Sequence, residues 1–243
     1  VKRSIRIRKN EEITEGVYDM WVDAEDMAAL ARPGQFISLY CNDGSRLLPR
    51  PISICEIDQT SAGIRLVYRV VGKGTEEFSK LGPGDMIECM GPLGNGFALE
   101  GTKALIIGGG IGIPPLLELA KRLDCEKYIV LGFRDRTFLV KDFEQYGDIY
   151  VSTEDGSTGT KGNVLDAIRQ HGLTADIIYA CGPVPMLKGI KEFAEERKIK
   201  AQLSLEERMA CGIGACLACV CKSADTDPHT NVNNKRICKE GPV

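Results

Sequence analysis

Four cysteines near the end of the chain have the order and spacing of iron ligands. They follow a C-x4-C-x2-C…C pattern and are Cys211, Cys216, Cys219 and Cys238. This is the spacing of a plant-type [2Fe–2S] site, and Gly212 and Gly214 would let the backbone curl around such a cluster. The pattern predicts a module that moves single electrons. The alternatives are four cysteines that are only buried or disulfide-bonded, and a structural zinc knuckle.

A glycine-rich turn predicts a second site, for the phosphates of a nucleotide. The segment Gly108–Gly112 follows the apolar run Lys103–Ile107 and precedes Pro114 and Pro115. Strand, glycines and helix therefore come in phosphate-binding order, although Ile113 stands where G-x-G-x-x-G has its third glycine. A Cys-Gly-Pro turn after the last predicted parallel strand shares this sheet edge. The candidate residues of the two turns are Gly109, Gly110, Gly112, Cys181, Gly182 and Pro183. The alternatives are a tight turn without a ligand and, for Cys181, a small core residue.

A third candidate site lies in the first half of the chain. Thr75 is predicted to be the N-cap of a helix whose start can bind a diphosphate. Arg50, at the end of a strand-like stretch, can form a fork to phosphate oxygens, and Ser53 offers a hydroxyl to a polar ring edge. Taken alone, Arg50 and Arg69 are also typical surface charges, and Thr75 is also a simple cap.

The elements that position these residues change character near residue 100. Up to about Ala98, short runs such as Gln35–Tyr40 and Gly63–Val71 are separated by Gly and Pro pairs, which predicts an antiparallel β-barrel. Apolar strands then alternate with helices, two of them near Val164–Gln170 and Val184–Arg197. This alternation predicts an α/β domain with a doubly wound parallel sheet. We therefore expect a barrel domain at residues 1–99, a nucleotide-binding domain at 100–200 and a small cluster module at 201–243.

Composition narrows the classes of partner. The 31 basic and 34 acidic residues give a formal net charge of −3, which favours neither a nucleic-acid surface nor an anionic-lipid anchor. We expect no membrane span and no signal peptide. The cysteines outside the iron pattern are scattered singly, so we expect a reducing cytoplasm. Neither His171 nor His229 stands beside paired cysteines, as a Rieske-type cluster would need.

These motifs, in this order, resemble the ferredoxin reductase superfamily, which binds FAD on a barrel and a nicotinamide nucleotide on an α/β domain. The resemblance covers nearly the whole chain. Two C-terminal segments, Glu206–Cys221 and Arg236–Val243, resemble one branch of this superfamily, the electron-transfer subunits of NAD-dependent, class 1B dihydroorotate dehydrogenases. The resemblance implies that two strands and a helix start contact FAD through Arg50, Pro51, Ile52, Ser53, Val67, Tyr68, Arg69, Gly74 and Thr75. It also implies that the four cysteines named first are the cluster ligands.

Two positions depart from the pattern of these families. Ile52 stands where many members of the wider superfamily have an aromatic residue, so stacking on that face of the flavin is not implied here. The polar stretch Ser223–Asn234 is longer than is usual in the branch, and Cys221 competes with Cys238 as the fourth ligand.

The implied reaction is electron transfer between two proteins. A separate FMN-bearing subunit would oxidise dihydroorotate to orotate in pyrimidine biosynthesis, and its electrons would pass through the cluster and FAD to NAD+, in a heterotetramer with two of each chain. Two alternatives are a ferredoxin- or sulfur-linked NAD(P)H reductase subunit and a cluster-based redox sensor. NAD and NADP remain open, because Arg134 would favour a 2′-phosphate and Asp135 would repel one.

Overall fold

The computed structural model describes residues 2–224, 226–227 and 231–241. His229 and part of the polar stretch lie outside these described residues. The first part of the chain forms a closed antiparallel barrel with strand order β1-β2-β5-β4-β3-β6. Its strands are β1 (Arg3–Thr14), β2 (Val17–Asp23), β3 (Phe36–Tyr40), β4 (Arg50–Asp58), β5 (Gly63–Arg69) and β6 (Met86–Leu93). Two short helices accompany the barrel, α1 (Glu25–Leu30) and α2 (Lys73–Ser79).

The second part is a six-stranded parallel sheet with strand order β10-β9-β8-β7-β11-β12. Its strands are β7 (Lys103–Gly109), β8 (Glu126–Phe133), β9 (Asp148–Thr153), β10 (Thr160–Lys161), β11 (Ile177–Cys181) and β12 (Lys200–Ser204). The helices that connect them are α3 (Pro115–Arg122), α4 (Val140–Phe143), α5 (Val164–Gln170) and α6 (Val184–Arg197). Apolar clusters lie on both faces of the sheet, as a doubly wound fold requires.

The last part is small and packs on the barrel. It contains the hairpin β13 (Val220–Lys222) and β14 (Asn234–Arg236), followed by α7 (Ile237–Glu240). The backbone N–H of Asn95, just after the barrel, donates to the carbonyl of Gly241 at 3.2 Å. The predicted fold class, a barrel plus an α/β sheet with a C-terminal module, is confirmed.

The helix predicted to start at Thr75 starts earlier, so the assignment of Thr75 as its N-cap is wrong. α2 begins at Lys73, with Gly72 at the N-cap. The Thr75 hydroxyl instead accepts the backbone N–H groups of Val71 and Gly72, at 3.0 and 3.3 Å, from inside the first turn. Thr75 still satisfies the free amides at this helix start, because its side chain reaches back toward them.

No helix of the described residues is long and apolar enough to cross a membrane.

Candidate functional site

A cavity of about 450 Å³ lies where the barrel, the parallel sheet and the C-terminal module meet. Most of the residues predicted to bind a flavin line it: Arg50, Pro51, Ile52, Ser53, Val67, Tyr68, Arg69 and Thr75. They come from β4, from β5 and from the start of α2, which bring three distant segments together. Gly74 is not part of this lining, but an added Cβ there would overlap the guanidinium of Arg50. Glycine at residue 74 therefore lets Arg50 lie directly against the start of α2.

Arg50 also borders a second cavity of about 420 Å³. The lining residues of this second cavity are Asp43, Ser45, Arg46, Leu47, Leu48, Arg50 and Lys73. Arg46 is engaged there by two acids, because its guanidinium pairs with Glu77 and lies 3.4 Å from the Asp43 carboxylate. The two cavities thus meet at a cation, which suits a ligand with a diphosphate in its middle.

Of the six candidate residues in the two predicted nucleotide-binding turns, Cys181 lines the first cavity, within the part of the chain that the structure describes. It ends β11 and pairs in register with Ser204 on β12. Burial raises the pKa of the Cys181 thiol to about 12, although a hydrogen bond with the Ser204 hydroxyl opposes that rise. Cys181 is therefore a neutral thiol at the carboxyl edge of the sheet, facing the cavity.

The glycines of the other turn lie beside Cys181 rather than in the cavity. An added Cβ at Gly112 would lie 2.5 Å from the Cys181 carbonyl oxygen, and one at Gly109 would lie 2.5 Å from the sulfur of Met186. Gly110 differs, because the space around it is open and its φ is +51°. Packing explains two of these glycines, while Gly110 is the one left free to approach a ligand. Ile111, between them, lines the cavity.

The four predicted cluster ligands form two pairs. Burial raises the pKa of the Cys211 thiol, but hydrogen bonds from the Ile213 N–H and from Cys216 outweigh burial and bring this pKa to about 6. Burial and a hydrogen bond with Cys219 raise the pKa of Cys238 to about 12. Cys211 thus lies against Cys216, and Cys238 lies against Cys219.

The arrangement of these thiols fits a two-iron cluster. Within the described ranges, no group of three His, Cys, Asp or Glu side chains could hold a single metal ion. A [2Fe–2S] cluster sets a different requirement, since each iron takes two thiolates and two bridging sulfides. Backbone N–H groups already point at the sulfurs: Gly214 donates to Cys238 at 3.1 Å, and Cys238 to Cys219 at 3.4 Å. Such N–H···S bonds are the second layer of contacts that tunes a cluster.

The loop between the first two cysteines has the backbone that its glycines predict. Gly212 and Gly214 have φ values of +70° and +82°, in the left-handed region. Gly212 also packs tightly on the barrel, because an added Cβ would lie 3.1 Å from the Ser38 hydroxyl. Cys221, the competing fourth ligand, lies on β13 and packs against the apolar cluster around Phe36 instead of pairing with another cysteine in the described contacts.

Several residues of the cavity were missed by the sequence analysis. They come from the start of β3 and the residues before it, from the end of β6, from the end of β12 and the segment that follows it, and from the module: Gly34, Phe36, Gly94, Ser204, Leu205, Glu206, Glu207, Met209, Ile237 and Gly241. Phe36 and Ile237 also pack against Cys219 and Cys238. Only the position of Ile237, next to a predicted ligand, gave a sequence signal. Arg134 and Asp135 both lie exposed just after β8.

Comparisons with known proteins agree with this architecture. Residues 206–243 match the model of the iron-sulfur cluster binding domain of dihydroorotate dehydrogenase B. A chain of the NADH-dependent reduced ferredoxin-NADP oxidoreductase superposes with a TM-score of 0.88 at 31% identity, covering 98% of this chain and 86% of that one. The ferredoxin reductase of carbazole 1,9a-dioxygenase, at 17% identity, shares the fold with a TM-score of 0.69 over 84% of this chain and 68% of that one.

The fold and the site thus define a ferredoxin reductase-like oxidoreductase with an iron–sulfur module. Two curated relatives, each described as the electron transfer subunit of dihydroorotate dehydrogenase B (NAD(+)), narrow this class. One, from Caldanaerobacter subterraneus subsp. tengcongensis, is 43% identical over all of this chain and 96% of its own length. The other, from a Geobacillus species, is 40% identical with the same coverage. The chain belongs to this family of electron transfer subunits.

Proposed function

We propose that this chain carries electrons from a dihydroorotate-oxidising partner subunit to NAD+, through a [2Fe–2S] cluster and FAD, in pyrimidine biosynthesis. One observation carries the proposal: the cavity and the cysteine module share an apolar wall. Phe36 and Ile237 line the cavity on one side and pack against Cys219 and Cys238 on the other. A flavin in the cavity would then lie next to the cluster, with side chains and no solvent layer between them.

The four cysteines would hold the cluster, as two pairs on two irons. The first cavity would hold the flavin ring of FAD, with Ser53 and the backbone of Val67–Arg69 along it. Arg50, at the junction of the two cavities, would pair with the diphosphate, and the second cavity would take the adenosine half. FAD supplies the exchange between one-electron and two-electron transfer when it is bound.

The nicotinamide nucleotide would approach at the carboxyl edge of the sheet. Gly110 offers an open backbone there, and the Cys181 thiol faces the cavity from the same edge. Gly109, Gly112, Gly182 and Pro183 would shape this edge by close packing. We propose NAD+ rather than NADP+, as in the names of the relatives. We also propose a cytoplasmic heterotetramer and the division into residues 1–99, 100–200 and 201–243.

The decisive experiment measures the chain alone and with its partner. The purified chain, holding FAD and iron, should oxidise NADH with an artificial dye but should not convert dihydroorotate. Adding the FMN-bearing catalytic subunit should give dihydroorotate-dependent NAD+ reduction. Rapid reduction of ferredoxin by NADH, without any response to the catalytic subunit, would instead support the ferredoxin-linked reductase. A chain without turnover in either assay would support a redox sensor.

Arg50→Ala tests the FAD site within this proposal. We expect weaker FAD binding, because a charge-assisted phosphate contact contributes about 1.5–3 kcal/mol, whereas folding should change little. Arg3→Ala is the control, since Arg3 forms a surface ion pair with Asp26 at 2.9 Å, away from both cavities. Flavin titration of the apoprotein measures the affinity, and equal affinities in parent and Arg50→Ala would show that Arg50 does not bind the diphosphate.

A further inference from the structure

A fully buried carboxylate connects the barrel to the parallel sheet. Glu118 lies on α3 and its side chain is 0% exposed. One oxygen accepts the backbone N–H of Ile57 at 2.9 Å, and the other accepts from Arg122 at 2.6 Å. Ile57 lies on the barrel strand β4, so the first of these bonds crosses between the two parts of the molecule.

The Ile57 amide is free for this contact because the neighbouring strand β3 does not extend far enough to pair with it. β3 begins at Phe36, which pairs with Ser53 of β4, so the later part of β4 extends beyond β3. The other side of Ile57 is occupied by Ile64 of β5. Glu118 therefore provides the acceptor that the missing strand would have provided, and buried backbone N–H groups need such an acceptor.

Lys121, one turn further along α3, completes the same contact. Its ammonium lies 3.1 Å from the Ile57 carbonyl oxygen and 3.2 Å from the Glu56 carboxylate. Both backbone polar groups of Ile57 are thus bonded to side chains of α3. Because α3 bonds to both the N–H and the carbonyl of Ile57, the position of α3 along β4 is fixed, as well as its distance from β4.

β4 and α3 are also the elements that begin at the two ligand sites. β4 starts with Arg50–Ser53, which line the cavity proposed for the flavin. α3 follows the turn Gly110–Gly112, which is proposed to meet the nicotinamide nucleotide. We propose that Glu118 is a positioning residue that sets the place of the nucleotide-binding turn relative to the flavin, and hence the geometry of hydride transfer. This inference rests on the proposed function.

The cluster module does not take part in the contact between α3 and β4. The rate of electron exchange between flavin and cluster therefore serves as an internal control for a change at Glu118. The module packs on β3 and β6 of the barrel through Gly212, so flavin and cluster keep their relation when α3 shifts. In Glu118→Ala, with FAD and iron bound, we expect a higher KM for NADH and slower flavin reduction by NADH. A displacement of 1 Å can lower a rate by about a hundredfold. Electron exchange between flavin and cluster, started with a photochemical one-electron donor, should keep the parental rate.

Hydrogen exchange provides a readout that does not depend on turnover. The Ile57 amide should exchange rapidly in Glu118→Ala and stay protected in Glu118→Gln, whose amide oxygen can still accept the bond. Glu118→Gln should accordingly restore most of the NADH kinetics. Lys121→Met should change them in the same direction as Glu118→Ala, but less. Asp176→Ala is the control, because the Asp176 carboxylate accepts the Thr102 N–H at 2.9 Å within the sheet domain alone.

Three outcomes would overturn the inference. The first is an equal fall of both rates in Glu118→Ala, which would indicate general damage. The second is parental NADH kinetics despite rapid exchange at Ile57. The third is a Glu118→Gln variant as slow as Glu118→Ala although its Ile57 amide stays protected. A parent chain whose flavin is not reduced by NADH would refute the proposed function itself, whereas the three outcomes above leave that function intact.

Discussion

The two cysteine pairs of the C-terminal module lie in opposite surroundings. Cys219 and Cys238 are each 2% exposed and pack with Phe36, a residue of the barrel. Cys216 is exposed and its partner Cys211 is half-buried. Cys219 and Cys238 therefore face the interior of this chain and form the inner pair. Cys211 and Cys216 face outward and form the outer pair.

The residues around the outer pair differ in kind as well. Ile213 and Leu217 flank Cys216, and their side chains are largely exposed although they are apolar. Exposed apolar side chains beside a redox group are typical of a surface that another protein covers. The contrast suggests that the inner pair serves the flavin of this chain and the outer pair serves the partner, which is the asymmetry that a relay between two flavins needs.

Replacing one cysteine of each pair gives the largest expected effect. Cys216→Ser and Cys219→Ser should both lose the iron and all dihydroorotate-dependent NAD+ reduction, because each removes a ligand. FAD should remain in both. The flavin absorption spectrum should change only in Cys219→Ser, since Cys219 packs against the wall of the flavin cavity. Iron analysis and visible spectra measure this, and parental iron in either variant would contradict the ligand assignment.

The thiols of the iron-free chain should differ strongly in reactivity. With a pKa near 6, Cys211 is mostly thiolate at neutral pH, and its alkylation should slow as the pH falls below that value. Cys238, with a pKa near 12, should stay protonated throughout the neutral range. At neutral pH Cys211 should therefore be alkylated much faster than Cys238, although the weaker nucleophilicity of an acidic thiolate reduces the difference. Peptide mass spectrometry after iodoacetamide treatment measures both rates, and similar rates would remove the contrast between the pairs.

Much of this module was predictable from the sequence because it is local. The ligand spacing and the positive φ of Gly212 and Gly214 depend on neighbouring residues, and so do the helices Val164–Gln170 and Val184–Arg197, whose predicted bounds are those of α5 and α6. The segments that line the first cavity were also predicted, although the predicted N-cap, Thr75, lies three residues beyond the observed N-cap, Gly72, since its hydroxyl can cap from either position.

The contacts between distant segments were not predictable. Nothing in the spacing of Phe36 indicates that its ring lies between the flavin cavity and Cys238, because the module packs on that strand only in the folded chain. Glu118 is a stronger case, since an acid within the apolar helix Pro115–Arg122 looks like a solvent-facing residue. It is buried because a second domain brings the Ile57 amide to it.

A charge at the outer surface should have a smaller effect than loss of a ligand. Leu217→Asp should weaken binding of the catalytic subunit by about 1–2 kcal/mol, or about five- to thirtyfold, as truncation in an interface core does. NADH oxidation with a dye should not change. Val184→Asp is the matched control, because Val184 has the same 44% exposure as Leu217 but lies at the start of α6. Equal effects of the two substitutions would place the partner surface elsewhere.

We expect the smallest effect from a substitution in the apolar wall between the inner pair and the flavin cavity, to which Phe36 belongs. Phe36→Leu keeps an apolar residue and so leaves the wall dry, but it shortens the side chain that fills the space between the cavity and Cys238. We expect folding to weaken by about 1 kcal/mol, as for other volume-changing core substitutions. Electron exchange between flavin and cluster should slow several-fold, because electron transfer weakens with every gap in the packing.

Leu93→Ala separates this effect from a general loosening of the module. Leu93 packs against the same apolar cluster, yet the described lining of the flavin cavity does not include it. Its truncation should therefore lower stability at least as much as Phe36→Leu does, while the exchange rate stays close to that of the parent. If both variants slowed the exchange in proportion to their loss of stability, Phe36 would be part of the support of the module and not of the path between the two redox groups.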